Sequence, residues 1–230
     1  MIKWLKKQQV RSKCKQNQLA KPLCTYIESC DRIRTDLPFQ ENKYIVFDTE
    51  TTGLDAHKDR IISIAGVVVQ RNAIIYRQSF EKLIKQERIG NKESSPIHQI
   101  LSQDLAEAQA EEEVLQDWLS FTRGAVLVAH QASFDVNIVQ HHVLKLFDIP
   151  LFNPYIDTFT LARRLDKASI DSSPTSNQAY DLDTLCERFQ IKIEQRHTAM
   201  GDALATAELF LHLVQHLKER GNQKTKHFIS

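Results

Sequence analysis

Asp48 and Glu50 stand one residue apart at the end of an apolar run, in Tyr44-Ile-Val-Phe-Asp-Thr-Glu-Thr-Thr-Gly53. Carboxylates buried without partners cost several kcal/mol, so a pair at the end of a buried strand needs solvent, basic groups or metal ions. Residues i and i+2 of a strand point to one face, which sets the two acids side by side as oxygen ligands. A third acid, Asp135, closes His130-Gln-Ala-Ser-Phe-Asp135, and a fourth, Asp202, closes His197-Thr-Ala-Met-Gly-Asp202. Taken singly, each has a plain structural reading: a capped turn for the first pair, helix N-terminal acids for Asp135 and Asp202, and a surface histidine for His197. Together they make a different set. Hard divalent cations take oxygen ligands, and two of them can stabilise the attacking and leaving oxygens of a phosphoryl displacement. A neutral imidazole, with an ordinary pKa of about 6.5, can accept the proton of the attacking water.

The elements around these residues must bring them to one place. Residues 43–48 read as a buried strand, and the β-branched runs 60–69 and 73–80, separated by Gln70-Arg71-Asn72, read as a hairpin that follows it. The chain thus begins its folded part as a three-stranded antiparallel meander. Glu111 to Arg123 reads as an amphipathic helix, 125–129 as a buried strand, 134–147 as a helix, 155–157 as a short strand and 158–165 as a helix. That alternation predicts parallel pairing and an α/β sheet flanked by helices. The Ser- and Asp-rich stretch 166–180 reads as a loop, and helices over 182–189 and 202–219 close the domain.

The 230 residues suit one well-buried domain, with 42% hydrophobic and 26% charged residues. The expected division is a basic N-terminal extension over 1–40, a catalytic domain over 41–220 and a polar, frayed tail over 221–230. Net charge is +1, yet residues 1–21 carry seven cations and no acid, leaving −6 on the remainder. A basic arm on a mildly acidic body suits a phosphate backbone, an acidic partner or an anionic membrane surface, or else is simply a solvated tail. No apolar core follows the basic N-terminus, and no run approaches the roughly 20 apolar residues of a membrane span. Cys14, Cys24, Cys30 and Cys186 lack C-x-x-C spacing and are expected to be reduced thiols of a cytoplasmic protein. His212 and His216 share the i, i+4 spacing of a metal pair but read as packing or solvent-facing residues, while the adjacent His141 and His142 point different ways.

The three segments D-T-E-T-T-G, H-Q-A-S-F-D and H-T-A-M-G-D, in this order, resemble the motifs of the DEDDh 3′-5′ exonuclease superfamily, the DnaQ-like enzymes of the proofreading epsilon-subunit type. The likeness covers about residues 43 to 218. It implies a ribonuclease-H-like mixed sheet, two Mg²⁺ or Mn²⁺ ions, and release of nucleoside 5′-monophosphates from a 3′ end. By matching position, Asp48, Glu50, Asp135 and Asp202 are expected as metal ligands and His197 as the general base. Thr51 and Leu54 would line the pocket of the terminal nucleotide, Phe134 would pack beneath the site, and His98 would touch the penultimate sugar or phosphate. Gln131 stands where the family usually has Asn, and the tail shows no clear Q-x-x-L-x-L-F clamp-binding segment. The expected substrate is a single-stranded or frayed DNA 3′ end, in proofreading or repair, with a DNA polymerase as a further partner. An exoribonuclease is the alternative within the same chemistry, and a non-catalytic module binding nucleic acid or a polymerase is the alternative outside it.

Overall fold

A computed structural model describes residues 2–86, 100–167 and 176–230. Two helices, α1 (Ile2–Lys15) and α2 (Lys21–Cys30), precede the sheet strands β1 (Lys43–Thr51), β2 (Ile61–Gln70) and β3 (Ala73–Leu83). There follow α3 (Ser102–Glu107), α4 (Glu111–Phe121), β4 (Ala125–Ala129), α5 (Ser133–Phe147), β5 (Tyr155–Asp157), α6 (Thr158–Lys167), α7 (Leu182–Arg188) and α8 (Ala199–Glu219). The sheet order is β3-β2-β1-β4-β5; the first three strands pair antiparallel, and β1, β4 and β5 run parallel. The meander and the parallel strands expected from the sequence are both present.

Alternation along β1 divides the core. Ile45 and Phe47 pack with Trp118, Val139 and Leu127 on one face, whereas Tyr44 and Val46 pack with Phe210, Leu213 and Val128 on the other. All four are buried, which is why the strand reads as a continuous apolar run. The strand is longer than expected: it continues to Thr51 because β2 pairs with it as far as Thr51↔Ile61, with a register shift between Glu50 and Thr51. The parallel partner β4 pairs only over Lys43–Val46. Asp48 and Glu50 therefore lie inside β1 but beyond the end of β4, in the kind of crevice past the carboxyl ends of parallel strands where α/β sheets place their sites.

The N-terminal residues are not a solvated arm. Tyr26 and Ile27 of α2 are fully buried, and the Tyr26 hydroxyl donates to Asn153 Oδ1 at 2.6 Å while accepting from the Phe152 amide at 3.0 Å. Three of the cations in α1 find acids: Lys7 and Arg11 pair with Asp31, and Lys13 with Asp148. Cys14 and Cys24 form a disulfide, so the expectation of reduced thiols holds only for the buried Cys30 and Cys186. The reason is the turn between α1 and α2, which brings residues ten apart in sequence to a Cα separation of 5.7 Å, a proximity no C-x-x-C rule reports. Closing so short a loop is worth about 2–3 kcal/mol, so dithiothreitol or Cys14→Ser should lower the denaturation free energy by that amount. An unchanged denaturant midpoint would show that the bridge does not constrain the unfolded chain.

The C-terminal tail does not fray either. Thr225 is buried, where its hydroxyl meets Asn42 Nδ2 at 2.9 Å and the Tyr44 hydroxyl at 2.7 Å; Phe228 is 1% exposed, and the Ser230 amide donates to the Tyr155 carbonyl at 3.1 Å. Asp166 belongs to α6 rather than to a loop, holding Arg188 by two hydrogen bonds of 2.6 and 2.8 Å, and residues 177–180 form a 3₁₀ turn; 168–175, the middle of the expected loop, lie outside the described residues. Among the described residues, no helix is long and apolar enough to cross a membrane.

Candidate active site

Three of the four sequence-predicted acids meet directly. One carboxylate oxygen each from Asp48, Glu50 and Asp202 lies within 4.8 Å of the others. Asp48 and Glu50 come from β1, on the face that packs against α8, and Asp202 comes from the first turn of α8. The fourth, Asp135, lies in the first turn of α5 and is 5% exposed. It is fixed from β1 by Thr49, whose amide and hydroxyl donate to Asp135 Oδ1 at 3.1 and 2.6 Å. Thr49 follows from the same alternation: between two residues facing α8, it must face the opposite layer, where α5 packs.

These acids disfavour one another's charge. Burial raises the Asp48 carboxyl well above the ordinary carboxylate range, and the charge of Asp135 adds the next largest push. Glu50 rises to about 7 through burial and then the charges of Asp202 and Asp135. Asp135 is pushed to about 7 by burial against the pull of the Thr49 hydrogen bonds, and Asp202 is raised by burial against the pull of Arg196. So dense a cluster cannot all ionise without a cation close by. Asp202 Oδ1 is buried with no hydrogen-bond partner. An orphaned buried oxygen within an all-carboxylate cluster fits a hard divalent cation, not the thiolate and imidazole sets that select softer metals.

His197 lies in the loop that enters α8, exposed and with φ of +63°, and Gln195 beside it has φ of +55°. Two left-handed non-glycine residues in one short loop store backbone strain of about 1–3 kcal/mol each, which survives only where surrounding bonds hold the loop. Here Thr198 caps α8, accepting from the Gly201 amide at 3.0 Å and donating to the Gln195 carbonyl at 2.7 Å. Sequence reading passed over Arg196, which pairs with Asp202 and bonds Asp183 through Nε and Nη2 at 2.6 and 3.1 Å. The partnership with Asp183 depends on where α7 docks, which no local pattern reveals.

The expected nucleotide contacts are less uniform. Leu54 is 88% exposed on the loop that follows β1, an apolar side chain left in solvent. That loop is braced by Asp59, which accepts from Thr52 Oγ1 at 2.9 Å and the Asp55 amide at 2.8 Å, and by buried His142, which meets the Asp59 carbonyl at 3.1 Å and pairs with Glu111. A Cβ on Gly53 would fall 2.6 Å from the Asp59 carboxylate, so the loop packs closely around this glycine. Thr51 is half-buried, with its hydroxyl donating to the Gly53 carbonyl at 2.7 Å, and Phe134, in the first turn of α5, is half-buried against the core. His98 lies outside the described residues. Gln131 has φ of +53°, a conformation that Asn adopts more readily, which gives a backbone reason for the family's preference. His141 meets His57 with their Nδ1 atoms 3.2 Å apart, while His142 turns inward, and His212 and His216 both pack on Phe189.

Comparison with known proteins yields a consistent family. A family model described as exonuclease, RNase_T, matches residues 45–210. The chain is 34% identical over 189 residues to a PolC-type DNA polymerase III of Thermotoga petrophila, covering 82% of this chain but 13% of that protein. It is 37% identical over 192 residues to a DNA polymerase III subunit epsilon-like protein of Rhodobacter capsulatus, covering 81% of this chain and 26% of that one. Thus it spans roughly an eighth to a quarter of these relatives' lengths. Among solved structures, E. coli exonuclease I in complex with a dT13 oligonucleotide superposes with a TM-score of 0.67 at 16% identity, over 79% of this chain and 43% of that one. Cell-death related nuclease 4 gives 0.61 at 20% identity, over 77% and 64%. The shared architecture is the ribonuclease-H-like mixed sheet of exonucleases.

Proposed function

The chain belongs to the RNase_T exonuclease family, and from that premise we propose that it is a 3′-5′ exonuclease that removes nucleoside 5′-monophosphates from single-stranded or frayed DNA ends with two Mg²⁺ or Mn²⁺ ions. The observation that carries this is the meeting of Asp48, Glu50 and Asp202 within 4.8 Å, beside Asp135 on α5. When bound, divalent ions supply the positive charge that steadies the attacking and departing oxygens. The protein's part is to hold four carboxylates in place: Thr49 fixes Asp135, and the Thr198 cap fixes the start of the helix that carries Asp202. His197 accepts a proton from the attacking water, with its imidazole in the solvent-reached loop. Leu54 offers an apolar surface on which the terminal base packs.

DNA is favoured over RNA because the relatives are named for DNA polymerase III and the structural neighbour was solved with an oligo-dT strand. Proofreading beside a polymerase is the corresponding role. Single-stranded DNA and RNA of one sequence, labelled at either end and incubated with Mg²⁺, Mn²⁺ or EDTA, test the reading. Metal-dependent mononucleotide release from the DNA 3′ end is expected; faster loss of RNA would turn the assignment to an exoribonuclease, and hydrolysis unaffected by EDTA would refute it.

A further inference from the structure

Arg196 occupies a place that a metal site does not obviously need. Its Nη1 pairs with Asp202 Oδ2, inside a cluster whose ligand oxygens are drawn to a common point, while its other two nitrogens hold both oxygens of Asp183. Asp183 is largely exposed on α7, with 59% of its side chain accessible, whereas Asp202 is at 8%. One guanidinium thus bridges a solvated carboxylate and a buried one. The planar fork suits this, because each carboxylate takes a different edge. The remaining oxygen of Asp202, Oδ1, has no partner.

Resting on the metal-site reading above, we propose that Arg196 is the internal counter-ion of the carboxylate cluster: it holds Asp202 when no divalent ion is bound, and ions load against its charge. Two cations placed on one buried carboxylate repel each other across a few ångströms of low-dielectric protein, so loading an ion and keeping the Arg196–Asp202 pair oppose one another. Asp183 gives the guanidinium a second anchor, so that it can let go of Asp202 without leaving the site or losing all charge compensation. The ion-free enzyme then stays folded with Asp202 compensated, and metal affinity is set below what four carboxylates alone would give. Arg196 is in this account a positioning residue, acting through Asp202.

Mn²⁺ binding to the full chain without nucleic acid, measured by calorimetry, tests this together with thermal melts in EDTA. Arg196→Gln should bind Mn²⁺ about tenfold more tightly than wild type, melt lower in EDTA, and gain more stability from added Mn²⁺. Arg196→Lys, which keeps the charge but cannot grip two carboxylates, should lie between them, and it carries the test alone if Arg196→Gln does not fold. Unchanged or weaker Mn²⁺ binding in the folded variants would overturn the counter-ion role while leaving the metal site intact. Failure of the wild-type protein to bind Mn²⁺ at all would instead remove the metal site, and this inference with it.

Discussion

Asp48→Asn is expected to lower turnover by about 10³-fold or more and, in EDTA, to raise the melting temperature. The two effects have one cause. In the proposed site, Asp48 would supply a bound ion with a ligand oxygen that an amide replaces poorly, and loss of one member of a site that acts as a unit removes most of its effect. Without ions, the same carboxylate is a liability, because burial and then the charges of Asp135, Asp202 and Glu50 raise its proton affinity above that of an unfolded chain. An acid whose folded pKa is raised binds more protons folded than unfolded. Stability is therefore greatest below the unfolded pKa and declines as pH rises towards the folded one. For Glu50, that decline runs from its ordinary 4.5 to about 7. The ion-free wild type should accordingly melt at lower temperature at pH 7 than at pH 5 on this account, and Asp48→Asn should flatten the slope. Each kcal/mol regained is worth about 2–4 °C in a chain of this size. Added Mn²⁺ should reverse the order, stabilising wild type more than the variant. Turnover within tenfold of wild type would remove Asp48 from the site, and equal melting temperatures in EDTA at pH 7 would remove the electrostatic account.

The sequence reveals those parts of the site that depend on local geometry. Two-residue alternation sets Asp48 and Glu50 on one face of β1, and it also places Thr49 against α5, although the Asp135 hydrogen bonds become apparent only once α5 is seen to dock there. Helix starts place Asp135 and Asp202, each in a first turn. What remained hidden depends on docking between segments distant in the chain. Composition marked residues 1–21 as basic but could not show that Asp31 and Asp148 would meet Lys7, Arg11 and Lys13, or that Tyr26 would be buried against Asn153. The polar letters of the tail conceal Phe228, whose packing with Phe39 turns an expected fray into part of the core. Arg196 sits in the loop before α8, yet its meaning comes from Asp183, thirteen residues earlier on α7.

Gly201→Ala is expected to destabilise the protein and to lower turnover by about 10²-fold, against the usual preference for Ala over Gly within a helix. Helix propensity alone favours Ala by about 1 kcal/mol. Gly201 sits in the first turn of α8, however, and a Cβ there would lie 2.1 Å from the Gln195 carbonyl oxygen and 2.5 Å from that of Glu194. Both obstacles are backbone atoms, so no rotamer change relieves the clash. The loop itself must retreat from α8, and that loop carries Arg196 and His197 and is held by the Gly201 amide through Thr198. Overpacking of this kind costs about 1–3 kcal/mol, outweighing the propensity gain, and an ångström of displacement at catalytic groups can cost about 10²-fold in rate. Because the four carboxylates are left in place, Mn²⁺ binding should survive better than turnover. Melting in EDTA, Mn²⁺ calorimetry and single-turnover digestion of labelled single-stranded DNA together decide the matter. A variant that is both more stable and fully active would show that the loop does not need its close seat on α8, and the role given to His197 would fall with it.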